Sequence, residues 1–128
     1  MDLLLDTCTF LWLTVDSASL SVPAKKLFRD PENEVYLSVV SDWEIAVKHK
    51  LGRLPLPASP GEFVPEQRER HGIETLPLEE AAINHLEKLP DYHRGPFDRI
   101  LVCQSIEHGL AILTPDTLIT PYPVKVVW

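Results

Sequence analysis

The chain has 128 residues, with 12 Lys and Arg against 19 Asp and Glu and a formal net charge of −7. That length fits one domain, residues 1–128, around one core. The charge excludes a general cationic coat for nucleic acid, although not a local basic face or a site whose positive charge comes from bound metal. No apolar run approaches the ~20 residues of a membrane span. The start, MDLLLDTCTFLWL, carries Asp2 and Asp6 without a basic lead and is read as no signal peptide. Cys8 and Cys103 lack metal-ligand spacing, so a reducing cytoplasm is the expected compartment.

Asp2–Leu5 is a short hydrophobic run that reads as a strand, with Asp6 at its C-terminal end and Thr7 able to cap the next segment. In that segment Phe10, Leu11, Trp12 and Leu13 form an unusually apolar turn of helix. Core packing explains it, and so does a partner groove. Pro23 opens an amphipathic helix with Ala24, Leu27 and Phe28 inward and Lys25, Lys26 and Arg29 outward. Pro31-Glu32-Asn33 is a turn.

Glu34–Val40 is β-branched and aromatic and predicts a second strand. Ser41-Asp42-Trp43-Glu44 follows with the spacing of a capping box, in which Glu44 serves the cap. Trp43, Ala46, Val47 and Leu51 repeat at helical spacing, and Gly52 ends that helix. Lys48, four residues after Glu44, is placed for an intrahelical ion pair.

Arg53–Gly61 is a proline-rich loop, and Glu62–Arg70 reads as a solvated helix with Pro65 blurring its start. Ile73–Leu76 reads as a third strand, and Leu78, Ala82, Ile83 and Leu86 predict a helix from about Leu78 to Leu89. Then Gly95 can cap and Pro96 can start a helix, with Asp98 in its first turn, where the positive end of the dipole favours a carboxylate. Ile100, Leu101, Val102, Cys103 and Ile106 cover most of that helix, so it should be largely buried; Gly109 ends it. LAILT is an apolar run without alternation, as in a strand covered on both faces, and Thr114-Pro115-Asp116 stands at its far end. Val124–Trp128 is a terminal strand. Strands alternating with helices predict an α/β fold, a mostly parallel sheet of about five strands in three layers with helices on both faces.

Four acids then share a location. Asp6, Glu44 and Asp116 lie at C-terminal strand ends or in the first turn beyond, and Asp98 joins them from the start of the buried helix. Each alone is explained as a cap or a solvated carboxylate. Four in one crevice repel, and such a cluster persists when a divalent cation neutralises it. With oxygen ligands only, Mg²⁺ or Mn²⁺ fits better than zinc, and the five scattered histidines read as structural or surface groups. A cation so held acts typically on phosphate oxygens and on a water that attacks in line. The chain lacks a Gly-rich phosphate loop, so phosphodiester hydrolysis fits better than nucleotide triphosphate hydrolysis.

Together, LLLDT, SVVSDWEIAVKHKLGRLPL, HRGPFDRILVCQSIEHGLAILTPD and YPVKVVW resemble a PIN-domain ribonuclease, and more closely the VapC-type toxin of a toxin–antitoxin pair. The resemblance runs nearly end to end. It places the family's metal-site acids on Asp6, Glu44, Asp98 and Asp116, with Thr7 and Thr114 in support. It implies Mg²⁺-dependent RNA cleavage, with Mn²⁺ able to substitute, together with homodimerisation and neutralisation by a small antitoxin. Gly95 stands where relatives often have an acid, and Cys8 where they commonly have His or Asn.

RNA would then be held by a local basic set, for which Lys48, Arg53 and Arg99 are the candidates. Two other readings stay open. A PIN-like binding module without catalysis requires a lost acid, and none of the four is missing. A phosphotransfer receiver requires a Lys at a late strand end, where this chain has Thr-Pro-Asp.

Overall fold

The computed structural model describes residues Met1–Trp128. Five strands, β1 (Asp2–Leu5), β2 (Glu34–Ser38), β3 (Glu74–Leu76), β4 (Ala111–Leu113) and β5 (Val126–Val127), form one sheet in the order β3-β2-β1-β4-β5. Every pairing is parallel, with Leu4 opposite both Tyr36 and Ile112. Because β1 lies between β2 and β4, the strand order reverses beside it. The C-terminal ends of β1 and β4 flank this switch point, where open parallel sheets leave a crevice.

Helices cover both faces. Leu3, Leu5, Val35, Leu37 and Leu113 point to one, where Phe10 and Leu13 of α1 (Thr7–Thr14), Ala24 of α2 (Val22–Arg29) and Phe63 and Val64 of α4 (Pro60–His71) close over them. Leu4 and Ile112 point to the other, against Leu101 and Val102 of α6 (Pro96–His108). The alternation along β1 is the two-residue period of a strand with a core on each side. Gly109 takes φ +66 after α6, the left-handed cap expected of it.

Several sequence expectations change. The third helix, α3 (Val39–Lys50), starts earlier than predicted, and its cap is Ser38, whose hydroxyl accepts from Val40 N–H at 3.0 Å. Ser41 and Glu44 therefore lie inside the helix and do not form a capping box. The inward face of α3 is Val40, Ser41, Glu44 and Ile45, whereas Trp43 (59% exposed), Ala46, Val47 and Leu51 (61%) look outward. Helix α4 is not merely solvated: Arg68 is buried, donates to the Leu37 carbonyl at 3.0 Å and pairs with Asp42 at 2.8 Å. In place of a helix over Leu78–Leu89 there is one short turn, α5 (Glu80–Ile83), and a 3-10 turn at Leu86–Lys88. Ala82 is fully buried and Leu78 packs on the core, but Ile83 is 41% exposed, so the apolar residues that suggested a longer helix do not form one buried stripe.

Candidate metal centre

The cavity at the switch point encloses about 210 Å³ and is lined by Asp6, Thr7, Cys8, Trp12, Glu44, Lys48, Asp98, Pro115 and Asp116. All four acids singled out in the sequence meet there. Each arrives from a different element, and each placement has a local cause.

Asp6 follows β1 and is itself the cap of α1, the place predicted for Thr7: its Oδ1 accepts from Thr9 N–H at 2.8 Å. Its Oδ2 accepts from the Thr114 hydroxyl beyond β4, and Thr114 Oγ1 in turn accepts from Asp116 N–H at 3.0 Å. Thr114 thus ties the ends of β1 and β4 into one edge of the site. Thr7 donates to Glu44 Oε1 at 2.7 Å and lies 2.9 Å from Ser41 Oγ, so it holds the second-turn carboxylate of α3 against the end of β1. Glu44 Oε2 accepts from Lys48 Nζ, the intrahelical pair its spacing allowed.

Asp98, in the first turn of α6, is about one quarter exposed and makes no comparable pair. Its carboxyl is pushed up to about 6, first by burial and then by the Glu44 charge, with His93 opposing. Asp6 is raised as well, first by burial; the bonds from Thr114 and Thr9 pull the other way, and the Asp116 charge adds to the rise. Lys48 is held protonated more firmly than usual by its bond to Glu44. Four carboxylates thus face one ammonium group. Two of them titrate high for lack of solvation and positive charge.

Sequence reasoning missed His93. Its Nε2 lies 2.8 Å from Asp116 Oδ2 and 3.5 Å from Asp98 Oδ2, and these three side chains can offer ligand atoms within 4.8 Å of one another. It lies two residues before the cap of the helix that carries Asp98, but no ligand spacing marks it in the sequence. Lys48 lines the cavity as expected. Arg53 is exposed and does not line it. Arg99 turns to Asp91 at 3.3 Å and to the Leu89 carbonyl, also outside the cavity. A larger, open cleft of about 560 Å³ lies at the opposite edge of the strands by Asp2 and Lys125, and gathers no comparable group of acids.

The donor set fits a divalent cation. Asp98 and Asp116 offer oxygens within 4.8 Å of one another, and Asp6 and Glu44 line the same cavity, whose own cation is already committed to Glu44. That arrangement suits a hard ion that takes oxygen ligands.

The model of the PIN domain family matches residues 3–120. Among curated proteins, the chain is 34% identical over 61 residues to "Ribonuclease VapC16" of Mycobacterium tuberculosis. That match covers 48% of this chain and 43% of the relative, so the chain matches less than half of that protein's length. Among solved structures, VapBC-1 from nontypeable Haemophilus influenzae superposes with a TM-score of 0.68 at 15% identity, covering 99% of this chain and 97% of that one. DNA-bound VapBC from Salmonella typhimurium gives 0.68 at 14% identity, with coverage of 99% and 97%. VapBC2 from Rickettsia felis, bound to a DNA fragment from its promoter, gives 0.66 at 11%, with coverage of 99% and 98%. At these identities the likeness is one of fold.

Proposed function

The chain belongs to the PIN domain family, and from that premise we propose that residues 1–128 form one PIN-type domain that is a divalent-metal-dependent endoribonuclease, the toxin of a toxin–antitoxin pair. The observation that carries the reading is the meeting of Asp6, Glu44, Asp98 and Asp116 in one cavity at the switch point of the sheet. The name of the curated relative as a ribonuclease and the VapBC complexes among the fold's neighbours support it.

Asp6, Asp98, Asp116 and Glu44 would hold Mg²⁺, or Mn²⁺ in its place. When bound, the cation supplies charge neutralisation at a scissile phosphate and activation of water for attack. The chain's own groups prepare the site. Thr114 and Thr9 aim the two oxygens of Asp6 apart, Thr7 orients Glu44, and Lys48 is the one ammonium group close enough to meet an incoming phosphate. The test is direct: purified protein with single-stranded RNA and Mg²⁺ or Mn²⁺ should yield internal cleavage. Intact RNA under both metals would sink the reading.

The antitoxin half of the reading draws on a second cavity, about 490 Å³, lined by Leu11, Trp12, Val15, Leu54, Leu56, Phe63 and Arg70 among others. Trp12 lines both this groove and the acid cavity, so an apolar segment seated here could send a basic side chain onto the carboxylates. Of the two readings the sequence left open for this turn, Leu13 takes core packing, and the Trp12 ring lies 6.0 Å from that of Trp128, tilted by 60°. Val15→Glu and Trp12→Ala should therefore each weaken binding of the proposed antitoxin by roughly tenfold or more, since an anchoring apolar side chain contributes about 1.5–3 kcal/mol. Titration calorimetry on cooperatively melting variants decides it. Unchanged affinity in both moves the partner elsewhere.

Homodimerisation belongs to the same proposal. Trp43, Val47 and Leu51 leave an apolar stripe on one face of α3, with Phe97 packed edge-on to Trp43 at 4.9 Å. Val47→Asp should convert a dimer to a monomer in light scattering. A dimer that survives the change would place its interface on another face.

A further inference from the structure

We propose that His93 is a positioning residue of the metal site, fixed as the Nε2–H tautomer so that it donates to Asp116 and holds that carboxylate toward Asp98; this rests on the metal-site reading above. The loop that carries it is anchored from both sides. Tyr122, itself buried, donates its hydroxyl to the Pro90 carbonyl at 2.7 Å and accepts from His93 N–H at 2.9 Å. The imidazole is only 12% exposed.

The tautomer follows from what each ring nitrogen faces. Nδ1 lies 2.9 Å from Gly95 N–H, a backbone group that can only donate, so Nδ1 must be the bare, accepting nitrogen. Nε2 then carries the ring proton, and the groups before it are carboxylate oxygens: Asp116 Oδ2 at 2.8 Å and Asp98 Oδ2 at 3.5 Å. Both ends of the ring ask for the same proton placement.

That placement decides between two roles. A histidine that binds a metal through Nε2 needs a bare Nε2 and a protonated Nδ1 that donates to an acceptor. Here Nδ1 would have to point a proton at another proton on Gly95. Imidazole as a direct ligand is therefore disfavoured by the backbone beside it, and imidazole as a clamp on a ligand is favoured.

Gly95 makes the clamp possible. Its φ of −68 suits any residue, so no backbone strain calls for glycine. A Cβ there would lie 2.8 Å from His93 Cε1 and 2.9 Å from Asp98 Oδ2. The missing side chain is the space into which the ring and the carboxylate fold together.

The experiment measures binding of Mn²⁺, Mg²⁺ and Co²⁺ by calorimetry to the whole chain and to His93→Ala, His93→Gln and His93→Asn, with thermal melts and RNA cleavage alongside. A glutamine amide can present its N–H near the position of Nε2, whereas asparagine reaches only to that of Nδ1. His93→Ala should weaken all three metals by about 10–100-fold, the usual effect of losing such an outer partner. His93→Gln should recover most of the loss, and His93→Asn should not. Equal affinity of His93→Ala and the parent chain would overturn the inference, and so would failure of His93→Gln to recover. Loss of Co²⁺ far beyond that of Mg²⁺ would overturn it in favour of a direct nitrogen ligand. If the parent chain itself neither binds metal nor cleaves RNA, the metal-site reading has failed rather than the role of His93.

Discussion

Asp98→Asn is expected to lower RNA cleavage by at least ~10²-fold and, in metal-free buffer at pH 7.5, to raise the melting temperature. The first effect follows from removing one anionic group from the site proposed to hold a cation: a deficit of about 3 kcal/mol at the transition state is already two powers of ten. The second follows from the carboxyl being pushed up to about 6 by burial and the Glu44 charge, against 3.8 for the free group. Between those values the folded chain binds more protons than the unfolded one, so stability falls as pH rises through the window and stays low above it. Asparagine carries no such charge. At pH 7.5 the variant should gain on the order of 1–3 kcal/mol, some degrees in melting temperature for a chain of this size, and below pH 4 the difference should vanish. Melts in EDTA across pH 4–7.5 give the answer. A variant that cleaves like the parent removes Asp98 from the site, and one that melts lower at pH 7.5 removes the electrostatic account.

Asp6→Asn should lose cleavage equally but gain no stability. Asp6 caps α1 and accepts from Thr114. An amide keeps one acceptor for Thr9 N–H and loses the other, so relief of charge is offset by a weaker bond at the edge of β4.

The difference between these two acids also marks what could be read from the sequence. The acids themselves were legible because in a parallel sheet the C-terminal strand ends must share one edge, and Asp6 and Asp116 sit one and three residues beyond β1 and β4. Helix α6 was legible because Pro96 and Gly109 bracket it. What misled was any choice that tertiary pairing makes. Ser38 and Ser41 are equally good caps in isolation. Ser38 wins because β2 still pairs there, opposite Leu76 of β3, and the chain can turn only after that bond. The same shift moves Glu44 inside α3, where its carboxylate is free for the cavity instead of a cap.

The spacing of Trp43, Val47 and Leu51 correctly gave a common face, but periodicity does not say whether a face meets the core or the outside. His93 was out of reach for a different reason. Its position depends on Tyr122, 29 residues later in the chain, and on the absence of a side chain at Gly95. Neither leaves a periodic trace.

Withdrawal of divalent metal is expected to abolish cleavage altogether and to lower the melting temperature of the parent chain, because the ion binds the folded state and not the dispersed ligands of the unfolded one. At a concentration a hundredfold above the dissociation constant this linkage contributes about 2.7 kcal/mol. Mg²⁺ and Mn²⁺ should restore both cleavage and stability, and Zn²⁺ should restore neither comparably, since the side chains nearest the centre offer carboxylate oxygen and the one imidazole has its accepting nitrogen turned to Gly95. The metal-induced rise should also depend on pH in a definite direction. Ligation requires the charged carboxylate, and Asp98 holds its proton up to about 6. The rise should therefore be full at pH 7.5, shrink through pH 6 and be small at pH 5, opposite in slope to the metal-free stability of the same protein. Scanning calorimetry with and without Mg²⁺ at those three values measures it. Full cleavage in excess EDTA would instead require proton transfers by side chains alone, and Lys48 and His93, the basic groups nearest the carboxylates, would be the ones to replace first.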